Sequence, residues 1–263
     1  MTPPRLVGMV HLPPLPGRPN HYGQPLGEIA EAAVREAATL EEGGFDAVLL
    51  QNSLDRPTRE RVDAATVAQL TRIARDIQEA TGVVLGINVH KNDGPAAVAI
   101  AAAADASFVR VKVHTGAVLS AEGILSGCAE ETLILRSRLG LDDALDVWAD
   151  IDDPTSRQFP GDTLERAAVD ALDFGAADAV IVTQPTVDDT CRAIERLRDR
   201  FPETPFIIGG KTTHENIGMA LQAADGVIVG SALKAQPGIA GDVDPSVVER
   251  FVQAATSASQ VVG

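Results

Sequence analysis

Eight short apolar runs recur along the 263 residues, at 6–10, 47–50, 83–89, 108–113, 146–151, 179–183, 205–208 and 226–229, each bounded by polar, Gly or Pro residues. Between them lie segments of helical periodicity, among them 26–42, 66–81 and 188–201. A continuous apolar run suits a strand buried on both faces, and such strands alternating with amphipathic helices imply a parallel sheet covered by helices. Eight units in a chain of this length fit an α/β fold of one domain over residues 1–263, a closed (β/α)8 barrel of TIM type. The composition agrees: 45% hydrophobic residues with 3% aromatics describe a core of Ala, Val, Leu and Ile.

A weak repeat supports the count. GGFDAVLL, AADASFVRV, GAADAVIV and AADGVIVG precede or contain the second, fourth, sixth and eighth runs, so the chain reads as four (βα)2 units. Asp46, Asp105, Asp178 and Asp225 then fall at strand N-termini, the bottom face, where a structural role is expected. The long irregular stretches 11–25 and 152–162 directly follow strands and become βα loops at the opposite, top face. The small, polar tail after Ser257 is expected to fray.

The net charge of −15 argues against a nucleic-acid polymer or an anionic membrane surface as partner. The apolar stretch 95–104 is too short to cross a bilayer, so no stable membrane insertion is expected. Residues 1–5 carry no secretory signal, and Cys128 and Cys191 lie in no ligand-like spacing; a cytoplasmic protein with two reduced thiols follows. A homo-oligomer is the expected assembly.

Residues at the C-terminal ends of the runs are of a different kind from those at the bottom. The first run, in VGMVHLPPLPGRP, ends on His11 before a proline-stiffened loop; the others lead to Asn52, Asn88 and His90, Arg110, Lys112 and His114, Asp150 and Asp152, and Thr183. Gly209, Gly210 and Lys211 follow the seventh run, and Gly230 and Ser231 the eighth, with Lys234 beyond. Glycines there let the backbone approach an anion, so these turns are a candidate phosphate cradle with Lys211 or Lys234 at its edge; the alternative is two tight turns that need Gly for geometry alone. Strand alternation puts Arg110, Lys112 and His114 on one face. Lys112 reads as a cation that neutralises a phosphate or carboxylate, with a Schiff-base nucleophile as the alternative. Asp150 and Asp152, about 6–7 Å apart on one strand face, are candidates for a divalent cation, for acid/base duty, or for pairing with Lys112 and Arg110. No cofactor is otherwise expected, and no metal ligand set is assigned.

The segments GMVHLPPLPGRP, FDAVLLQNSLDRP, GINVHKNDGPAAVAIAAAADASFVRVKVHTGAVLSAEG and ADGVIVGSALK resemble the BtpA family over nearly the whole chain. The resemblance implies a TIM-barrel-like fold with a polar mouth and, from the family's name, a role in photosystem I biogenesis. Gln51, Lys112 and the segment 152–155 depart from the pattern, which pairs Glu with Asn after the second strand, carries Asn in the fourth and adds basic residues after the fifth. Family roles attached to those residues do not transfer.

Together these features point first to an enzyme acting on a small phosphorylated ligand such as a sugar phosphate or nucleotide. Phosphate would sit at Gly209, Gly210, Lys211, Gly230 and Ser231, with His11, His90, Lys112 and Asp150 as the catalytic group. His11 or Asp150 would move protons, a role that suits a histidine near its ordinary pKa. Asn52, Asn88, Arg110, His114, Asp152 and Thr183 would complete the substrate site. A non-catalytic assembly factor for a membrane complex, and a divalent-metal hydrolase, are the alternatives.

Overall fold

The computed structural model describes residues 3–236 and 238–260. Its eight parallel strands close into a barrel: β1 (Leu6–His11), β2 (Ala47–Gln51), β3 (Val84–Asn88), β4 (Phe108–Val111), β5 (Asp146–Asp150), β6 (Ala179–Val182), β7 (Phe206–Ile208) and β8 (Gly226–Val229). Each pairs with its neighbours in chain order and β8 returns to β1, as the eight-run pattern requires. Around them run α1 (Leu26–Glu42), α2 (Ala64–Ala80), α3 (Gly94–Ala104), α4 (Ala129–Arg138), α5 (Leu164–Val169, continued by a π-helical turn over Asp170–Phe174), α6 (Val187–Arg200), α7 (Ile217–Ala223) and α8 (Pro245–Gln260). The expectation of a frayed tail from Ser257 is corrected as far as Gln260, which α8 still includes; residues 261–263 lie outside the described residues. No helix is long and apolar enough to cross a membrane among the described residues.

Two cores result. The larger lies between strands and helices. The smaller fills the barrel with Val7, Met9, Ala47, Leu49, Phe108, Trp148, Ala179, Ile181, Ile207 and Ile228. Phe108 and Trp148, from adjacent strands, stack with ring centroids 4.0 Å apart. The space that they take is left by Gly86 of β3, where a Cβ would stand 2.2 Å from the Phe108 ring. Because side chains alternate along a strand, two residues further up each strand brings one more inward position from each of the eight. Those positions are His11, Gln51, Asn88, Arg110, Asp150, Thr183, Gly209 and Gly230. The alternation that builds the apolar interior therefore delivers a polar top ring.

Three of the four repeated aspartates are clamps at the bottom face. Asp46 accepts from the Leu6 N–H at 2.8 Å, Asp178 from Val147 at 2.7 Å and Asp225 from Phe206 at 2.8 Å, so each ties the start of its own strand to that of the preceding one. Asp105 departs from this: it takes a left-handed conformation (φ 54°) at the end of α3, and its carboxylate pairs with Arg75.

β4 also ends earlier than the apolar run, at Val111. The chain then leaves the barrel and builds a small antiparallel sheet from Ala117–Ser120, Gly123–Ser126 and Arg157–Gln158, which the sequence reading does not anticipate. Val118 and Leu125 turn inward against Val113 and anchor this sheet beside the mouth.

Gly86→Ala is expected to cost about 1–3 kcal/mol, since the added methyl must displace a stacked ring in a filled interior. Urea denaturation checks it, and a midpoint within error of the parent would show that the interior can relax.

Candidate functional site

The floor of the mouth is a buried ion pair. Arg110 Nε and Nη2 each donate to an Asp150 oxygen at 2.8 Å, and the Asp150 side chain has no exposed surface. Burial opposes both charges and pushes the Asp150 carboxyl up; at Arg110 the attraction of Asp150 overcomes burial and raises the guanidinium's pKa. With both oxygens met by N–H donors, the pair is ionic. Asp150 is thus spent on Arg110, and the acid/base role expected for it gives way to pairing. Asn88 donates to the Arg110 carbonyl at 2.8 Å and accepts from Gln51, whose own carbonyl oxygen accepts from Ser53 at 2.8 Å. Asn52 accepts from the His90 N–H at 2.7 Å and donates to Asp55 at 2.8 Å. Asn52 and Asn88 therefore hold His90 and Arg110 in place rather than face a ligand.

Above this floor opens a cavity of about 300 Å³, within the usual size of small-molecule sites. His11, His90, Arg110, Lys112 and Asp153 line one side, and the turns carrying Gly209–Thr212 and Gly230–Ser231 the other. Lys112 Nζ lies 3.4 Å from Asp153 Oδ1. Burial alone would raise the Asp153 carboxyl, but Lys112 and two hydrogen bonds from Thr155 outweigh it and hold it at about 2. His11 is pushed down to about 3 by burial, then by Lys234, Arg110 and Lys112. His90 is pushed down to about 4 by burial, then by Lys112 and Lys91. Both imidazoles are neutral at pH 7, which corrects the expectation of a histidine near its ordinary pKa. Nδ1 of each is buried with no hydrogen-bond partner.

The glycines divide into two kinds. A Cβ on Gly209 would lie 2.3 Å from Thr183 Oγ1, and one on Gly230 2.6 Å from His11 Cε1. These two glycines make room for the inward groups of neighbouring strands. Gly210 is different: nothing lies within 4 Å of its Cβ position and its φ is not positive. Among the hydrogen bonds of the described residues, none uses the N–H of Gly210, Lys211 or Thr212. Lys211 adopts φ 64°, a left-handed conformation rare outside Gly, and its Nζ donates to the Pro185 carbonyl at 2.7 Å. Successive N–H groups in such a turn form a concavity suited to an anion. Thr212 Oγ1 and Thr183 Oγ1 are buried without partners beside it.

Three expected residues lie elsewhere. His114 follows the end of β4, leaves the inward face, and places Nε2 2.7 Å from the Gly175 carbonyl. Asp152 accepts from Gln184 at 2.6 Å, so it does not converge with Asp150 to bind a cation. Lys234 is enclosed and paired with Glu36 at 2.7 Å, and it does not line the mouth. Among the described residues no group of three or more His, Cys, Asp or Glu side chains is gathered for a metal ion. The sequence reading gives no role to Asp153, Thr155, Ser53, Arg56 or Thr212, all of which line the mouth. The chain turns out of β5 at Asp150, which shifts the inward position from residue 152 to 153. Only the run of two aspartates signals this.

The profile of the BtpA family matches residues 2–257. A Thermococcus kodakarensis protein is 37% identical over 259 residues, which is 97% of this chain and 96% of that one. A Synechocystis protein named photosystem I biogenesis protein BtpA is 35% identical over 256 residues, 95% of this chain and 87% of that one. Among solved structures, tryptophan synthase from M. tuberculosis superposes with a TM-score of 0.64 at 16% identity, over 97% of this chain and 93% of that one. N-(5'-phosphoribosyl)anthranilate isomerase from Pyrococcus furiosus gives 0.57 at 17%, over 96% and 99%. Thiamine phosphate pyrophosphorylase from Pyrococcus furiosus gives 0.57 at 13%, over 96% of each chain. These structural likenesses are of fold.

Asp150→Asn is expected to cost about 3–5 kcal/mol, because it leaves the Arg110 charge buried and unpaired. Asp152→Asn, which leaves the Arg110 pair intact, should stay within about 1 kcal/mol. Equal losses in chemical denaturation would contradict the assignment of Asp150 as the partner. The histidines set a pH dependence: below pH 6.5 the unfolded chain binds protons that native His11 and His90 refuse. Their contribution is complete above 6.5 and is lost as pH falls towards their native values near 3 and 4. Tm should decline from pH 6.5 to 4, and more shallowly in a His11→Gln/His90→Gln variant.

Proposed function

The chain belongs to the BtpA family, and from that premise we propose that it is an enzyme acting on a small phosphorylated molecule held by its phosphate at the turns after β7 and β8. The observation that carries this reading is the run of unused N–H groups at Gly210, Lys211 and Thr212, next to the unpartnered Thr212 hydroxyl. Charge supports it. In a chain of net charge −15, the mouth holds Arg110 and Lys112 answered by Asp150 and Asp153, plus Arg56 and Lys211, with which no carboxylate pairs among the described residues. An uncompensated positive rim draws an anion inward against the field of the whole protein. Two of the fold neighbours are also named for phosphorylated compounds.

With phosphate at Gly210–Thr212 and Ser231, the rest of the ligand extends towards His11, His90 and Lys112. Neutral imidazoles there accept or donate hydrogen bonds and take up a proton only transiently, which suits acid/base steps of a lyase, an isomerase or a glycosyl-transfer enzyme. The name of the Synechocystis relative favours a second reading, a role in assembling a membrane complex.

Thermal-shift titration tests the first reading. A ligand that binds only the native state stabilises it by about 2.7 kcal/mol at a hundredfold excess over Kd. Phosphorylated metabolites and inorganic phosphate are expected to raise Tm. Gly210→Val should abolish the shift without lowering the basal Tm, because the added side chain meets only the space that the anion needs. A shift that survives Gly210→Val, or no shift with any phosphorylated compound, sinks the proposal.

A further inference from the structure

Lysine is scarce in this chain. Four lysines stand against eighteen arginines. All four lie in segments that leave the top of the barrel: Lys91 after β3, Lys112 after β4, Lys211 after β7 and Lys234 after β8. The helical ion pairs on the outside use arginine throughout, as at Arg72–Asp76, Arg166–Asp170 and Arg192–Asp188. A guanidinium keeps its proton, whereas a desolvated ammonium can lose one and become a nucleophile. Lysine is thus confined to the one face where that difference has chemical use.

Three of the four have fixed partners. Lys91 is buried and donates to Thr155 Oγ1 at 2.8 Å. Lys234 is enclosed against Glu36 at 2.7 Å, and Lys211 donates to the Pro185 carbonyl at 2.7 Å. Lys112 has the loosest contact of the set: Asp153 Oδ1 at 3.4 Å, on a carboxylate already satisfied by Thr155. Its side chain is 9% exposed and lines the cavity beside His90 and Arg110. Burial lowers the pKa of this ammonium and Asp153 pulls it back up, while Arg110 and Lys91 add to the lowering.

We propose that Lys112 is the nucleophilic amine of the site and that the substrate is a phosphorylated aldehyde or ketone, captured as an imine. The inference rests on the phosphate reading for the phosphorylated part of the substrate. Lys112 first gives a proton to solvent water. The free Nζ electron pair then forms a bond to the carbonyl carbon, the C=O π pair moves to oxygen, and a proton passes from nitrogen to that oxygen. Solvent returns that proton to the hydroxyl, which departs as water while the nitrogen pair closes the C=N bond. Ammonium and carbonyl have become iminium and water, and no oxidant or reductant is consumed. A cation left next to the substrate carbon then favours loss of a proton or a carbon group from the adjacent position, with the neutral His11 and His90 as acceptors.

The test uses the full chain with glycolaldehyde phosphate, and with glycolaldehyde as the unphosphorylated control. Each is trapped with sodium borohydride and located by peptide mass spectrometry. Four lysines make the map unambiguous. One reduced adduct on Lys112 is expected, at a concentration at least tenfold lower for the phosphorylated aldehyde, and absent from Lys112→Met and from Lys112→Arg, which keeps the charge should the Met variant fail to fold. No adduct on Lys112, or labelling that follows exposure and falls on Lys211, overturns the proposal. Equal labelling of Lys112 by both aldehydes keeps the amine role and removes the phosphate reading. A Tm rise with inorganic phosphate in Lys112→Arg, with no Lys112 adduct in the parent chain, does the reverse.

Discussion

The buried pair of Arg110 and Asp150 is the interaction from which the mouth is built. It stands one inward layer above the Phe108–Trp148 stack, on the same two adjacent strands. Taking a guanidinium and a carboxylate out of water is costly, and only full bidentate contact between them recovers most of that cost. The pair is therefore rigid: any rotation of Arg110 would strand a charge against an aromatic floor. That rigidity passes upward. Asn88 is fixed by the Arg110 carbonyl and Gln51 by Asn88, and Lys112 departs from the strand that Arg110 anchors. Arg110 also reaches the opposite wall, since its Nη2 would lie 3.5 Å from a Cβ on Gly209.

Period-two alternation explains how much was legible beforehand. Wherever a strand persists, counting in twos from the apolar interior finds the top ring, and His11, Arg110, Asp150 and Thr183 emerge from sequence for that reason. Where the strand stops, the count fails. His114 loses the inward face because β4 ends at Val111, and Asp152 yields its place to Asp153 because β5 ends at Asp150. The end of a strand depends on what the loop beyond it packs against, and here that is the small sheet at Ala117–Ser120. Its local signal was present: apolar pairs flank SAEG, whose Gly123 has φ 108°.

The role of each mouth residue is less legible than its position. Asn52, Asn88 and Asp150 look like ligand groups in sequence, yet each is consumed in holding a neighbour. Gly209 and Gly230 likewise look like phosphate glycines, but their missing side chains are demanded by Thr183 and His11. Only the three-dimensional neighbourhood separates them from Gly210, which nothing crowds. A polar residue at a strand end has two possible customers, the ligand and the scaffold, and composition does not say which is served.

The placement of the lysines also has a practical side. Lys211 is the exposed member of the set, and it stands at the rim of the mouth. Reagents that couple proteins through side-chain amines would thus attach this one by its own opening, blocking what they were meant to measure. Surface attachment through an added terminal tag or through carboxylates, which cover the outer helices, would leave the mouth free to receive a ligand.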